Sequence, residues 1–394
     1  MKNKTILLCA AMLLGACASA PPSTPPVVSS PSQACNCQPP AVVAPPKLAE
    51  KPLQPASWAD LPGWGDDNLV TTFDAFVASC KVLAKQSLWS SVCAAAPSAS
   101  RDNLRAWFEA QLQPWKLVNA DGAREGLLTG YYEPIIKASR KKDKNYRYPI
   151  FSVPDDLITV DLSEIYPELK NMRLRGRIEG KKLLPFYSRA EWTKEETRRA
   201  NSAIMWTNDA IDLFFLQIQG SGQVDLIDGQ RVRISYADQN GHPYRPVGKW
   251  LAEQGEMKIE QTSMQGIKAW ATANPKRANE LLNTNPSVVF FREMPIEGGG
   301  PPGALGVALT PERSIAVDAR VTPLGSPVWL ATTRPSSDDV LQRLMLAQDT
   351  GGAIRGPVRA DFYWGSGPDA GAQAGRMKQK GQMWVLLPKN YAPK

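Results

Sequence analysis

Histidine is almost missing from this chain: His242 is the only one in 394 residues. A single imidazole excludes multi-histidine zinc sites. Any Ser-His-Asp or Cys-His arrangement would have to use a residue set in Asn240-Gly241-His242-Pro243, which reads as a turn. Acid and base work therefore falls to carboxylates. Cysteine is scarce too, six in all. Apolar runs of bilayer-spanning length are lacking, as are internal repeats. Asp349-Thr350-Gly351 has no second Asp-Thr-Gly or Asp-Ser-Gly to complete a dyad of carboxylates sharing one proton.

What the chain does have begins at its first residue. Lys2 and Lys4 precede an apolar stretch, Thr5 to Leu14, that closes in Leu14-Gly15-Ala16-Cys17. This resembles the bacterial lipoprotein box, and it predicts a cleaved signal peptide over 1–16 and a lipid attached at Cys17. Ala18 in place of Asp points to the outer membrane, facing the periplasm. In that oxidising space Cys80 and Cys93 are the favoured disulfide pair, while Cys35 and Cys37 lie in a Pro-rich stretch and are assigned no function. The formal charge is +8, of which Lys2 and Lys4 leave with the signal. A moderately basic surface suits an acidic polymer or anionic headgroups. In this compartment nucleic acid is not an expected partner.

Residues 17–52 are rich in Pro, Ala, Ser and Val and predict a disordered tether, with folded sequence under way by Trp58. Apolar spacing predicts a helix across Asp66 to Gln86 and a second one capped by Ser100 and carrying Leu104, Trp107, Phe108 and Leu112. Strands are expected at Gly126 to Ile136, and at Ile211 to Gln219 and Gln230 to Tyr236 about a hairpin turn at Asp228-Gly229. Ser263 to Leu282 reads as helical. Short strands follow around Ser314 to Asp318, Pro327 to Ala331, Leu344 to Asp349, Pro357 to Trp364 and Gln382 to Leu387, which suggests a barrel. One helix interrupts them, opening near Pro368 with Gly381 as its stop.

Three aspartates end or interrupt those last strands. Asp318 and Asp349 can be read as turn formers, because a short carboxylate bonds readily to nearby backbone. Asp361 is followed by Phe362-Tyr363-Trp364, with no turn residue before Gly365. A carboxyl beside apolar rings has a raised pKa, as a general acid requires near neutral pH.

With Leu128-Thr129-Gly130-Tyr131-Tyr132-Glu133-Pro134, Leu216-Gln217-Ile218-Gln219-Gly220-Ser221-Gly222, Asn240-Gly241-His242-Pro243-Tyr244 and Asn285-Pro286-Ser287-Val288-Val289-Phe290-Phe291, this C-terminal pattern resembles the membrane-bound lytic murein transglycosylases of the A type. The resemblance implies a mainly β fold with some helices: a double-psi β-barrel from both chain ends (53–134 and 294–394, with the three-aspartate segment at 314–388), a smaller inserted β domain at 135–293, and a glycan groove between them. It implies Asp361 as catalyst and Asp349 and Asp318 as supporting carboxylates. For substrate contact it implies Thr129, Tyr131, Gln219, Gly220 and Ser221. Glycine at 220 and 222 also fits a strand bulge. The implied reaction cleaves the MurNAc-GlcNAc bond of peptidoglycan without water, leaves 1,6-anhydromuramic acid ends, and needs no metal or cofactor. Two other readings stay open: a hydrolase on the same barrel using Asp349 to activate water, and a noncatalytic murein-binding lipoprotein.

Overall fold

The computed structural model describes residues 51–392 except 170, 171, 173, 197, 198 and 297. The expected signal peptide, Cys17 and nearly all of the tether, with Cys35 and Cys37, lie outside the described residues. The fold is mixed helix and sheet. Its strands in chain order are β1 (Leu53–Pro55), β2 (Leu112–Leu117), β3 (Gly126–Glu133), β4 (Ile135–Ser139), β5 (Tyr148–Phe151), β6 (Ile158–Thr159), β7 (Arg175–Glu179), β8 (Lys182–Pro185) and β9 (Ala203–Thr207). They continue with β10 (Ser221–Leu226), β11 (Arg231–Gln239), β12 (Val289–Met294), β13 (Ser314–Val317), β14 (Pro327–Thr333), β15 (Val340–Asp349), β16 (Ala360–Ser366) and β17 (Lys378–Pro388).

Eight strands form one sheet in the order β1-β2-β17-β14-β15-β13-β16-β3, and β17 also pairs with β3, so the hydrogen bonding returns on itself. Six strands from the middle of the chain form a second sheet, β12-β11-β10-β4-β9-β5, and β6-β7-β8 make a third. The eight-stranded sheet holds the larger core. Trp329, Trp384, Phe362 and Leu346 are almost wholly buried, and Pro327 to Leu330 of β14, Leu344 to Ala347 of β15 and Met383 to Leu387 of β17 read as continuous apolar runs because both of their faces are covered there. The helices Val70–Leu83 and Ser90–Ala95, beside this core, are joined by the Cys80–Cys93 disulfide.

Several local expectations change. Ahead of Trp58, Leu53–Pro55 already forms a strand, which pairs with Leu112–Leu117. The first helix is shorter, Val70–Leu83. Ser100 makes no side-chain cap; a single 3-10 turn, Arg101–Asn103, leads into the helix Leu104–Gln111, and Leu112 already belongs to β2. The helical stretch after Ser263 divides into Met264–Ala273 and Ala278–Asn283, on either side of Pro275.

Ile211 to Gln219 is not a strand but the helix Ala210–Gln219. Its β-favouring residues sit at helical spacing, with Ile211, Phe214 and Phe215 buried together. Asp209 opens it by accepting from the Ile211 and Asp212 amides at 2.7 and 3.2 Å, and Gly220, at φ 80°, closes it. The first arm of the Asp228-Gly229 hairpin is therefore β10. Gly381 does not stop the last helix, which ends at Arg376; it sits in β17 opposite Gly126, where a Cβ would meet Leu128 and the Ala331 carbonyl.

Candidate active site

β13 runs between β15 and β16, and Ala316 faces Asp349 on one side and Asp361 on the other. Two strand spacings, about 9.5 Å, therefore separate the two aspartate backbones, with a methyl group between them. On the far side of β16, β3 runs parallel and places Thr129 level with Asp361 and Tyr131 level with Tyr363. Residues 361 and 363, like 129 and 131, share one strand face, while Phe362 and Trp364 point into the core.

Asp361 is half-buried, and its Oδ1 accepts a 2.6 Å hydrogen bond from Thr129 Oγ1. Burial pushes its carboxyl above the usual range, against the smaller opposing effects of the Thr129 bond and the Arg359 charge. Burial also raises Asp349, although Oδ1 accepts from the Thr350 and Ala304 amides and Oδ2 from Tyr131 Oη at 3.0 Å; the nearby Asp361 charge adds to the rise. The Tyr131 ring lies 5.2 Å from that of Tyr363.

Asp318 is different. Arg320 grips both of its oxygens at 2.8 and 2.6 Å, and the Gly356 amide donates to Oδ2 at 2.8 Å. The Arg320 guanidinium, with the bonds from the Gly356 and Arg320 amides, holds the carboxyl down to about 2. This carboxylate ties down the loop that joins Asp349 to Asp361.

Gln219 ends its helix with Oε1 accepting from the Tyr132 amide at 3.1 Å, which brings the sequence around Gly220 and Ser221 beside β3. Gly220 is thus a helix terminator and not a strand bulge; Gly222 lies in β10, with Leu216 and Pro134 where a side chain would go. His242 has its Nε2 2.7 Å from the Phe186 carbonyl. A cavity of about 410 Å³ lies behind β3, lined by Gly130, Tyr132, Phe215 and Ala374, on the face opposite Thr129 and Tyr131. It does not touch the carboxylates.

The structure thus gathers Asp361, Asp349, Thr129 and Tyr131, brings Gln219, Gly220 and Ser221 up to β3, and sets Asp318 apart. The sequence reading missed Tyr363 as part of this wall and Glu133 below it. Both are legible by two-residue alternation from Asp361 and Tyr131. Among the described residues, no group of three or more His, Cys, Asp or Glu could hold a metal ion, and no helix is long and apolar enough to cross a membrane.

Residues 127–292 match the MltA specific insert domain and residues 313–387 match the 3D domain. The chain is 34% identical over 282 residues to the membrane-bound lytic murein transglycosylase A of Escherichia coli K12, covering 70% of this chain and 69% of that protein. Crystal structures are similar as well. MltA from Neisseria gonorrhoeae is 35% identical over 87% of this chain and 94% of that one, with a TM-score of 0.76. E. coli MltA with bound chitohexaose is 27% identical over 88% and 96%, with a TM-score of 0.65.

Proposed function

The chain belongs to the membrane-bound lytic murein transglycosylase A family, and on that premise we propose how its residues cut peptidoglycan. It is a lytic transglycosylase, a lyase of the murein glycan. Asp361, protonated, donates to the oxygen joining N-acetylmuramic acid to N-acetylglucosamine as the C1–O bond breaks and positive charge develops on the muramyl ring. The resulting carboxylate takes the proton of that ring's C6 hydroxyl, whose oxygen bonds to C1. Asp361 is protonated again, the product carries a 1,6-anhydro end, and no water is consumed. Holding the internal nucleophile in place supplies what a second carboxylate would otherwise have to activate.

The observation that carries this reading is the placement of Asp361, half-buried on β16 beside β3 with its Oδ1 accepting from Thr129 Oγ1 at 2.6 Å; burial there raises its carboxyl, which suits an acid that must hold its proton and then accept another. Hydrolysis on the same scaffold would need a free second carboxylate to orient water. Asp349 is the nearest candidate, and its oxygens already accept from Thr350, Ala304 and Tyr131. Those bonds favour a supporting part for Asp349: it fixes Tyr131. Asp318 holds the connecting loop. Thr129 orients the acid, and Tyr131, Gln219, Gly220 and Ser221 line the glycan path.

The closed circuit of β17, β14, β15, β13, β16 and β3 supports a double-psi β-barrel spanning 53–134 and 294–394. The six-stranded sheet would then be the core of an inserted domain at 135–293, with the groove between the two. A lipid on Cys17 would hold the enzyme at the outer membrane, facing the periplasm; unlipidated Cys17→Ala protein should keep full activity on isolated murein, and loss of that activity would give the anchor a second task. The reaction is tested by digesting purified murein in ¹⁸O-labelled water and reading the new ends by mass spectrometry. Anhydro ends free of label are expected, and labelled reducing ends would establish hydrolysis.

A further inference from the structure

Glu133 ends β3 on the face that carries Thr129 and Tyr131. It is wholly buried, and so is its partner Arg233 at 3% exposure. Arg233 Nε donates to Glu133 Oε1 at 2.6 Å and Nη2 to Oε2 at 3.2 Å. Oε2 also accepts from Gln223 Nε2 at 2.9 Å and Ser366 Oγ at 2.7 Å. One carboxylate thus ties together β11 and β10 of the six-stranded sheet and β3 and β16 of the eight-stranded one.

Two of these ties lead back to the site. Ser366 closes β16 after a register shift that begins at Tyr363, so its bond to Glu133 secures the irregular end of the strand carrying Asp361. Arg233 Nη2 also donates to the Gly299 carbonyl at 3.1 Å. The next residue, Gly300, lies so close to the Tyr363 hydroxyl that a Cβ there would be 2.9 Å from it. Tyr363 in turn packs on Tyr131, whose hydroxyl meets Asp349.

We propose that Glu133 and Arg233 are positioning residues for the transglycosylase reaction: their buried pair sets where the Tyr131–Tyr363 wall stands relative to the six-stranded sheet, and so how the glycan bond is presented to Asp361. This rests on the function proposed above. Neither residue touches the reacting atoms. A pair that only fastened two sheets would make a different prediction, because exchanging a buried ion pair for neutral groups of similar size is often nearly neutral for stability.

The double variant Glu133→Gln/Arg233→Met makes that exchange and keeps an acceptor for Gln223 and Ser366. With solubilised glycan strands as substrate, its kcat should fall at least about tenfold, since small misplacements of reacting groups are costly. KM should change less than kcat, the thermal midpoint should stay near that of the parent, and the pH at which activity declines should not move, because Thr129 and Arg359 beside Asp361 are untouched. Parental kcat in a double variant of parental stability would overturn the proposal, as would a displaced pH profile. Should that variant fail to fold, Ser366→Ala decides, since it leaves the ion pair intact and releases only the β16 end: lowered kcat supports positioning, and parental kcat refutes it. If the parent makes no anhydro ends, the proposed function fails; if it does and the variants match it, only the positioning role fails.

Discussion

Where β13 ends, the Asp318 carboxylate meets a guanidinium and two backbone amides; one strand away on β16, the Asp361 carboxyl meets a threonine hydroxyl and a wall of tyrosine rings. Both belong to one three-aspartate pattern, and their environments push them in opposite directions, Asp318 down to about 2 and Asp361 above the usual range. Chemistry follows from what faces each carboxyl, since a matched cation fixes the charged form and desolvation favours the neutral one. Asp349 stands between them: bonded like an anchor, desolvated like an acid.

Substitutions can sharpen or break this contrast. The largest effect is expected for Asp361→Asn, which should lower the rate of anhydro-end formation by about 10²- to 10⁴-fold, the usual share of a positioned acid and base. Its thermal midpoint at pH 8 should equal or exceed the parent's, because a carboxyl with a raised pKa costs stability once the pH forces it to ionise. Asp349→Asn comes next. It loosens the hold on Tyr131 while leaving Thr129 and Arg359, the groups that act on the Asp361 carboxyl, in place, so activity should fall with an unmoved alkaline decline in a pH–rate series; a displaced decline would contradict a role limited to holding Tyr131.

Asp318→Asn should act on stability and spare the chemistry, costing about 1 kcal/mol near neutral pH in a denaturant titration. The sign is set by its depressed pKa. The carboxylate's contribution is present above the unfolded value of about 4 and is lost as pH falls from there toward 2. Parent and variant should therefore converge in stability across that window, and a gap that persisted at pH 2 would contradict the ion-pair account. Thr129→Val should have the smallest effect. It removes the bond that pulls the Asp361 pKa down, so the alkaline decline of activity should shift upward, with less than about a tenfold change in maximal rate.

Much of this was legible in the sequence, for local reasons. The strands from Ser314 onward announce themselves by short apolar runs between turn residues, and Asp228-Gly229 marks its hairpin by composition alone. That Asp361 faces away from Phe362 and Trp364 follows from two-residue alternation. What stayed hidden depends on distance along the chain or on a competing signal. Ile211-Asp212-Leu213-Phe214-Phe215 is rich in strand formers, and only the Asp209 cap and the Gly220 stop, read together, reveal a helix. Asp349 and Asp361 are neighbours only because β13 inserts between their strands, a pairing that no local pattern encodes. Glu133 and Arg233 lie 100 positions apart and look like ordinary surface charges until the two sheets meet.

The most direct test is a carboxyl ¹³C titration of aspartate-labelled protein, with Asp361 and Asp318 assigned by the resonance each loses on mutation to Asn. Asp361 should titrate above the ordinary aspartate value of about 3.9 and Asp318 well below it; an Asp361 that titrates together with Asp318, or below it, would contradict the assignment of Asp361 as the proton-holding acid.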